Sequence, residues 1–175
     1  MINKRQKVSI ENTRFIFTTN FSGDPSRDRF GSNKRRVNLV LTEDMAHHLM
    51  GMGVTVKQTR PNPEKIYDEP FVPTYFVPVN VNMESKWPPH VYWVTTTGKK
   101  LLCDIDMVGQ LDYIRVKNVN CLCNLVEKRN NPGEFSLYAD VMYVEQDADA
   151  DPYAARYAAP EVNMAEPATG NDLPF

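Results

Sequence analysis

The sequence predicts a mainly β protein, with short strands around one brief helix and a flexible acidic tail. Three observations predict this class. Apolar and polar residues alternate over many short stretches, as half-buried strands require. Only one stretch, marked by Met45, Leu49 and Met52, carries the spacing of a helix face. From Glu145 onward the composition turns to Asp, Ala, Pro, Asn and Glu, which offer too little apolar surface to offset the entropy of ordering.

In chain order, 8–20 reads as extended chain, with Phe15, Phe17 and Thr19 alternating against Ile16 and Thr18. A polar loop follows over 21–34, carrying Gly23, Pro25 and Gly31. Arg35 to Leu41 is the next strand, with Val37, Leu39 and Leu41 on one face. Thr42 is placed to cap a helix, and Glu43 and Asp44 in its first turn complement the dipole. Gly51 and Gly53 end it. Val54 to Gln58 returns to strand, and 61–68 is a loop. Pro70 to Met83 is a long extended run broken by Pro73 and Pro78, so parts of it belong at an edge or bulge. After the Pro88-Pro89 break, Val91 to Val94 starts another strand. Asp104 to Leu111 forms a short helical turn with Met107, Val108 and Leu111 inward. Tyr113 to Val126 and Phe135 to Val144 flank Asn130-Asn131-Pro132-Gly133, a strong turn signal, and form a β-hairpin. That hairpin is expected to place Phe135, Leu137, Ala139, Val141 and Tyr143 on one face. Several strands around one helix fit a small barrel of OB type. The organisation is then one OB-like nucleic-acid-binding domain over 1–144 and a flexible acidic tail over 145–175.

The bulk numbers support one domain: 175 residues suffice for a core but not for two comfortable ones. No apolar run approaches the roughly 20 residues that span a bilayer, and none follows the basic N-terminus, so a cytoplasmic location is expected. Three cysteines, Cys103, Cys121 and Cys123, fit a reducing compartment better than a disulfide framework. No second Cys pair accompanies Cys121 and Cys123, and no metal or other cofactor is expected. The net charge of −2 hides an asymmetry. Residues 1–60 hold 11 bases against five acids, whereas 145–175 hold seven acids and only Arg156 as a base. A polyanion-binding body with an acidic tail has this distribution.

No catalytic constellation stands out. Gly51-Met52-Gly53 lacks the rest of any phosphate-binding fingerprint. His47 and His48 point about 100° apart on a helix and cannot easily share a ligand. Asp104 and Asp106 read as turn residues, with metal-assisted phosphoryl chemistry as the alternative. The basic and aromatic residues say more. A single strand of nucleic acid offers phosphates and unstacked base faces, so its binder needs cations along a groove and aromatic plates. Arg27, Arg29, Lys34, Arg35, Arg36, Lys57 and Arg60 are the candidate phosphate contacts. Phe30, Trp87 and Trp93 are the candidate stacking residues. Aromatics in strands often belong to the core instead, which leaves an OB-type interaction or structural module without DNA binding as the competing reading.

The order of several motifs resembles phage single-stranded DNA-binding proteins of the OB-fold class. Asn20-Phe21-Ser22-Gly23 comes first, then Lys34-Arg35-Arg36-Val37-Asn38-Leu39-Val40-Leu41, Thr42-Glu43-Asp44-Met45-Ala46 and Gly53-Val54-Thr55-Val56-Lys57. Pro88-Pro89, Val108-Gly109-Gln110-Leu111-Asp112 and the hairpin to Tyr143-Val144 complete the likeness over about 14–145. Placing a helix directly after the Lys34–Leu41 strand departs from the bacterial proteins, so their tetramer is not implied. The resemblance implies a non-enzymatic protein that binds single-stranded DNA without strong sequence preference in phage or mobile-element replication and recombination. Self-association is compatible with it.

The chain ends in Asp172-Leu173-Pro174-Phe175, similar to the Pro-Phe tips through which such proteins recruit replication or recombination partners. Leu173 and Phe175 are apolar and the terminal carboxylate adjoins the ring, a combination suited to a shallow pocket with a basic rim. Deleting Asp172 to Phe175 is expected to leave DNA affinity nearly unchanged and to abolish partner capture in pull-downs from host lysate. Identical partner lists from the full-length and shortened baits would contradict this.

Overall fold

The computed structural model describes residues 6–147, so the tip and all of the expected 145–175 tail beyond Asp147 lie outside the described residues, while Glu145 and Gln146 belong to the last strand. Among the described residues, nine strands and one α-helix form a mainly β structure. Its spine is the expected hairpin: β8 (Val116–Glu127) pairs antiparallel with β9 (Phe135–Gln146) across the Asn130–Gly133 turn. β1 (Lys7–Thr13) lies on the far side of β8. On the other flank β9 pairs in parallel with β5 (Tyr75–Asn80), which pairs with β3 (Arg36–Leu41), which pairs with β2 (Phe15–Asn20). The path from β1 to β2 therefore begins and ends on adjacent stretches of chain. Arg14 joins them: its carbonyl accepts from Val40 N at 3.1 Å, while the Thr13 hydroxyl donates to the Val40 carbonyl. β6 (His90–Val94) branches from the later half of β9 and carries β7 (Lys100–Cys103).

Alternation builds the core. Val37, Leu39 and Leu41 of β3 point in, as do Val77 and Val79 of β5 and Val119, Cys121, Cys123 and Leu125 of β8. Cys121 and Cys123 share a face with sulfurs 3.5 Å apart, and all three cysteines are buried thiols. Burial pushes the Cys103 thiol up to about 11, and the Cys123 contact together with burial raises Cys121 well above its ordinary value. Both therefore stay protonated and unreactive near neutral pH.

The helix α1 (Glu43–Gly51) forms as its caps predict, with the Thr42 hydroxyl accepting from Met45 N at 3.2 Å. Ala46 and Leu49 are its buried residues, and Met45 and Met52 pack at the margin. Gly53 ends the turn with φ +89°, and a Cβ there would lie 2.4 Å from the Gly133 carbonyl. Gly53 thus lets the helix exit press against the hairpin turn, where Phe135 N donates to its carbonyl at 2.9 Å.

Three expectations change. The strand over 54–58 shrinks to β4 (Lys57–Gln58), because Val54 makes only an isolated bridge to Phe135. The run over 70–83 is regular only across β5, where Pro78 faces Asn38 in the span between the β4 and β9 pairings of that strand. In β9 the alternation switches phase. The register shifts between Leu122 and Cys123, leaving Asp140 as an extra residue, so Val141 and Tyr143 face outward while Met142 and Val144 fill the core. A bulge moves every later side chain to the opposite face.

One buried carboxylate ties the 21–35 loop to the body. Asp112 lies in a short 3-10 helix over Val108–Tyr113 with its side chain fully buried. It accepts from the Thr19 hydroxyl at 2.8 Å, Phe21 N at 2.8 Å and Ser22 N at 3.0 Å. Arg27 Nε lies 3.4 Å away. Gly109 makes room, since a Cβ there would meet Ser22 Cβ at 3.0 Å. Two motifs far apart in sequence, 20–23 and 108–112, are thus halves of one joint. Asp112→Ala orphans two backbone donors and the Arg27 charge, and should cost about 3 kcal/mol. Urea denaturation checks this, and a loss below about 0.5 kcal/mol would show the joint to be incidental.

Candidate nucleic-acid interface

The outward faces of β2, β3, β4 and β5 and the 21–35 loop enclose a cleft of about 710 Å³. Each cation reaches it for a local reason. Arg36 opens β3 on the face opposite Val37, and Lys57 and Arg60 come from β4 and the residues after it. Arg29 and Lys34 come from the loop that Asp112 anchors. Loop geometry is set internally. Asn20 Oδ1 accepts from Gly23 N and Asp24 N at 3.0 and 3.1 Å. Asp24 accepts from Ser26 N at 2.9 Å, and that backbone hydrogen bond holds its carboxyl below the usual range.

Charge in the cleft is one-sided. Among the described residues Asp28 is the single acid in its lining, and its carboxylate accepts from Phe30 N and Ser32 N at 3.1 and 2.8 Å. Among the described residues, Arg29, Lys34, Arg36, Lys57 and Arg60 form no ion pair. Like charges facing one another without partners are costly unless a polyanion arrives. The cleft also holds an aromatic pair: Phe17, 62% exposed, meets Phe76 edge-to-face at 5.1 Å. Phe17 has φ +63°, a conformation that costs a bulky residue on the order of 1 kcal/mol. The β2 register shift after Ile16 accompanies it and swings the ring outward, whereas Phe15 packs on Phe21 at 5.5 Å. Phe76 itself is buried, so Phe17 is the ring the cleft exposes among its cations, and cations around an exposed ring are what a single strand of nucleic acid needs.

The comparison that decides the family covers nearly the whole chain: residues 1–172 match the family model described as "Putative phage ssDNA-binding domain". The chain belongs to this phage single-stranded DNA-binding family. It is a DNA-binding protein, not an enzyme. Two solved structures are similar to it. The single-stranded DNA-binding protein from bacteriophage Enc34 is 9% identical, covering 86% of this chain and 89% of that one, with a TM-score of 0.46. The gp2.5 single-stranded DNA-binding protein encoded by bacteriophage T7 is 9% identical, covering 83% and 88%, with a TM-score of 0.41. No curated protein matches the sequence.

In this phage DNA-binding domain, six of the seven expected phosphate contacts line the cleft: Arg27, Arg29, Lys34, Arg36, Lys57 and Arg60. Arg27 is already engaged, donating to the Thr19 carbonyl at 2.8 Å and the Asp112 carbonyl at 3.3 Å and lying 5.2 Å over the Tyr113 ring. The structure does not bring Arg35 to the cleft. Its side chain, 14% exposed, donates to the Phe21 carbonyl at 2.8 Å and pairs with Glu84 at 3.3 Å. None of the three expected stacking residues lines the cleft either. Trp93 packs partly buried on the core and donates from Nε1 to Gln146 Oε1 at 3.1 Å. Phe30 is 87% exposed at the loop rim under Arg29, and Trp87 is 82% exposed beside Lys86 before β6. Phe17 and Phe76 were missed because plain strand alternation reads them as packing residues, and the register shift that turns Phe17 outward has no sequence signature.

Asp104 caps its own turn, accepting from Asp106 N and Met107 N at 3.0 and 2.8 Å. Among the described residues no cluster of His, Cys, Asp and Glu is placed to hold a metal, and no helix is long and apolar enough to cross a membrane.

Proposed function

We propose that the cleft binds one DNA strand without strong sequence preference, protecting it during phage or mobile-element replication and recombination in the host cytoplasm. The observation that carries this reading is the convergence of Arg29, Lys34, Arg36, Lys57 and Arg60, free of ion pairs among the described residues, on the exposed Phe17 ring and the buried Phe76 that backs it. Arg27 lends its charge while it holds the loop. Phe17 supplies the ring face for a base, and Phe76 supports it from below. Phe30 at the rim joins as the loop meets the strand.

We further propose that the strand path is a small barrel of OB type. The support is the sequence of pairings. One bent stretch, 7–20, borders both β8 and β3, and the remaining order closes through β9 and β5 with one parallel step. In OB folds the second and third strands, with the loops after the first and fourth, take oligonucleotides. The corresponding parts here are β3, β5, the 21–35 loop and the 128–134 turn. Lys128 of that turn lines a recess with Lys34, Arg36 and Lys57. The acidic tail, as a separate segment, recruits replication or recombination proteins through Asp172, Leu173, Pro174 and Phe175, and competes weakly for the cleft at low salt.

Arg36→Ala with Lys57→Ala should weaken binding of oligo-dT and of mixed sequences alike. It should also flatten the log-log salt dependence by about 0.7 for each phosphate that the protein no longer neutralises. Phe17→Ala should cost about 1–3 kcal/mol of binding while leaving the fold intact, because the ring is largely exposed. Fluorescence anisotropy across a salt series measures both, and an unchanged slope together with full affinity would move the DNA path elsewhere.

A further inference from the structure

Beyond the cleft, a second strip of aromatic rings and cations follows the seam between β9 and β6. Before its bulge β9 turns Tyr138 outward beside Asn80, and both residues line recesses shared with Lys34 of the cleft. After the bulge Val141 and Tyr143 take over the same outer face, set in register with His90 and Tyr92 of β6. Tyr92 and Tyr143 stack at 4.8 Å with planes 17° apart, and His90 stacks with Tyr92 at 6.5 Å. Lys100 of β7 places its ammonium 4.7 Å from the Tyr92 ring and 5.7 Å from the Tyr143 ring. Trp87, 82% exposed, stands three residues before His90.

The acids on this face are occupied. Asp140 pairs with Lys7 at 2.7 Å, and Glu145 accepts from Asn118 at 2.6 Å. Glu84, in the recess with Lys34 and Tyr138, pairs with Arg35 at 3.3 Å. Among the described residues the face thus carries rings, the charges of Lys34 and Lys100 and the single unneutralised acid Glu145, continuous with the cleft through Lys34 and Tyr138. From Tyr138 to Tyr143 the seam runs roughly 16 Å along the strand. His90 is exposed and Tyr92 and Tyr143 are half-buried on this sheet face, and a base is the flat, apolar, anion-linked group that fits beside such a row of rings.

We propose that this seam is the second half of the DNA track: a strand leaving the cleft past Lys34 and Tyr138 runs over His90, Tyr92 and Tyr143 toward Lys100, with Trp87 at its side. This rests on the cleft being the primary site. It predicts a length threshold, because a short oligonucleotide fills the cleft alone and a longer one reaches the seam.

The test uses the full chain carrying Trp93→Phe, which leaves Trp87 as its single tryptophan, with oligo-dT of increasing length. OB folds occlude about 4–16 nucleotides each, so lengths of about 6 and about 16 bracket the threshold. Trp87 emission should stay constant with the short oligonucleotide and be quenched by the long one. In the otherwise native chain, Lys100→Glu should weaken the long oligonucleotide by roughly tenfold and spare the short one, read by anisotropy of labelled DNA. Lys100 is exposed, so this change leaves the core untouched. Silence of Trp87 at every length, or equal affinity of Lys100→Glu for the long oligonucleotide, overturns the seam. Failure of the cleft shows differently, as short-oligonucleotide binding that ignores Arg36→Ala with Lys57→Ala.

Discussion

The Asp112 carboxylate is the contact on which the interface depends. A fully buried acid is tolerated only where donors surround it, and here Thr19, Phe21, Ser22 and Arg27 supply them. These donors come from the end of β2 and the loop after it. A 15-residue loop would otherwise sample many shapes, and the cations it carries would be spread with it. Fixing its start at Asp112, with Gly109 giving the room, holds Arg29 and Lys34 opposite Arg36, Lys57 and Arg60. The cleft is thus paid for in the core: its cations stand exposed, and without ion pairs among the described residues, because the Arg27–Asp112 contact and backbone hydrogen bonds hold their scaffold.

Local chemistry was legible in the sequence wherever one short segment decides the outcome. The Thr42 cap, the Gly53 stop and the Asn130–Gly133 turn each act within a few residues, and each appears where the sequence placed it. The charge asymmetry located the basic half that forms the cleft. Long-range choices were not legible. Nothing in 7–20 says that one stretch borders both β8 and β3, since one of those partners, β8, lies about a hundred residues away. The Asp140 bulge reversed the facing of Val141 and Tyr143, because one inserted residue shifts a period-two pattern and leaves its composition unchanged.

Arg35 and Arg36 mark a limit of a different kind. Adjacent residues on a strand point to opposite faces, so their separation between the Glu84 side and the cleft follows from alternation alone once the strand is accepted. Tyr92 and Trp93 divide in the same way, the tyrosine to the outer seam and the tryptophan to the core margin. Phe17 is the case that alternation cannot reach. Its left-handed backbone is a local cost that only the surrounding sheet can hold, and strain of this kind concentrates at sites of use.

The point where a base meets the protein separates a DNA-binding cleft from a merely basic one. Photocrosslinking with oligo-dT carrying 5-iodouracil, followed by peptide mass spectrometry, reads that point without altering the chain. Adducts are expected on Phe17 first, within peptides that also carry the cleft cations. Efficient crosslinking that falls outside the cleft and the adjoining seam, with Phe17 unmodified, would contradict a DNA path through the cleft.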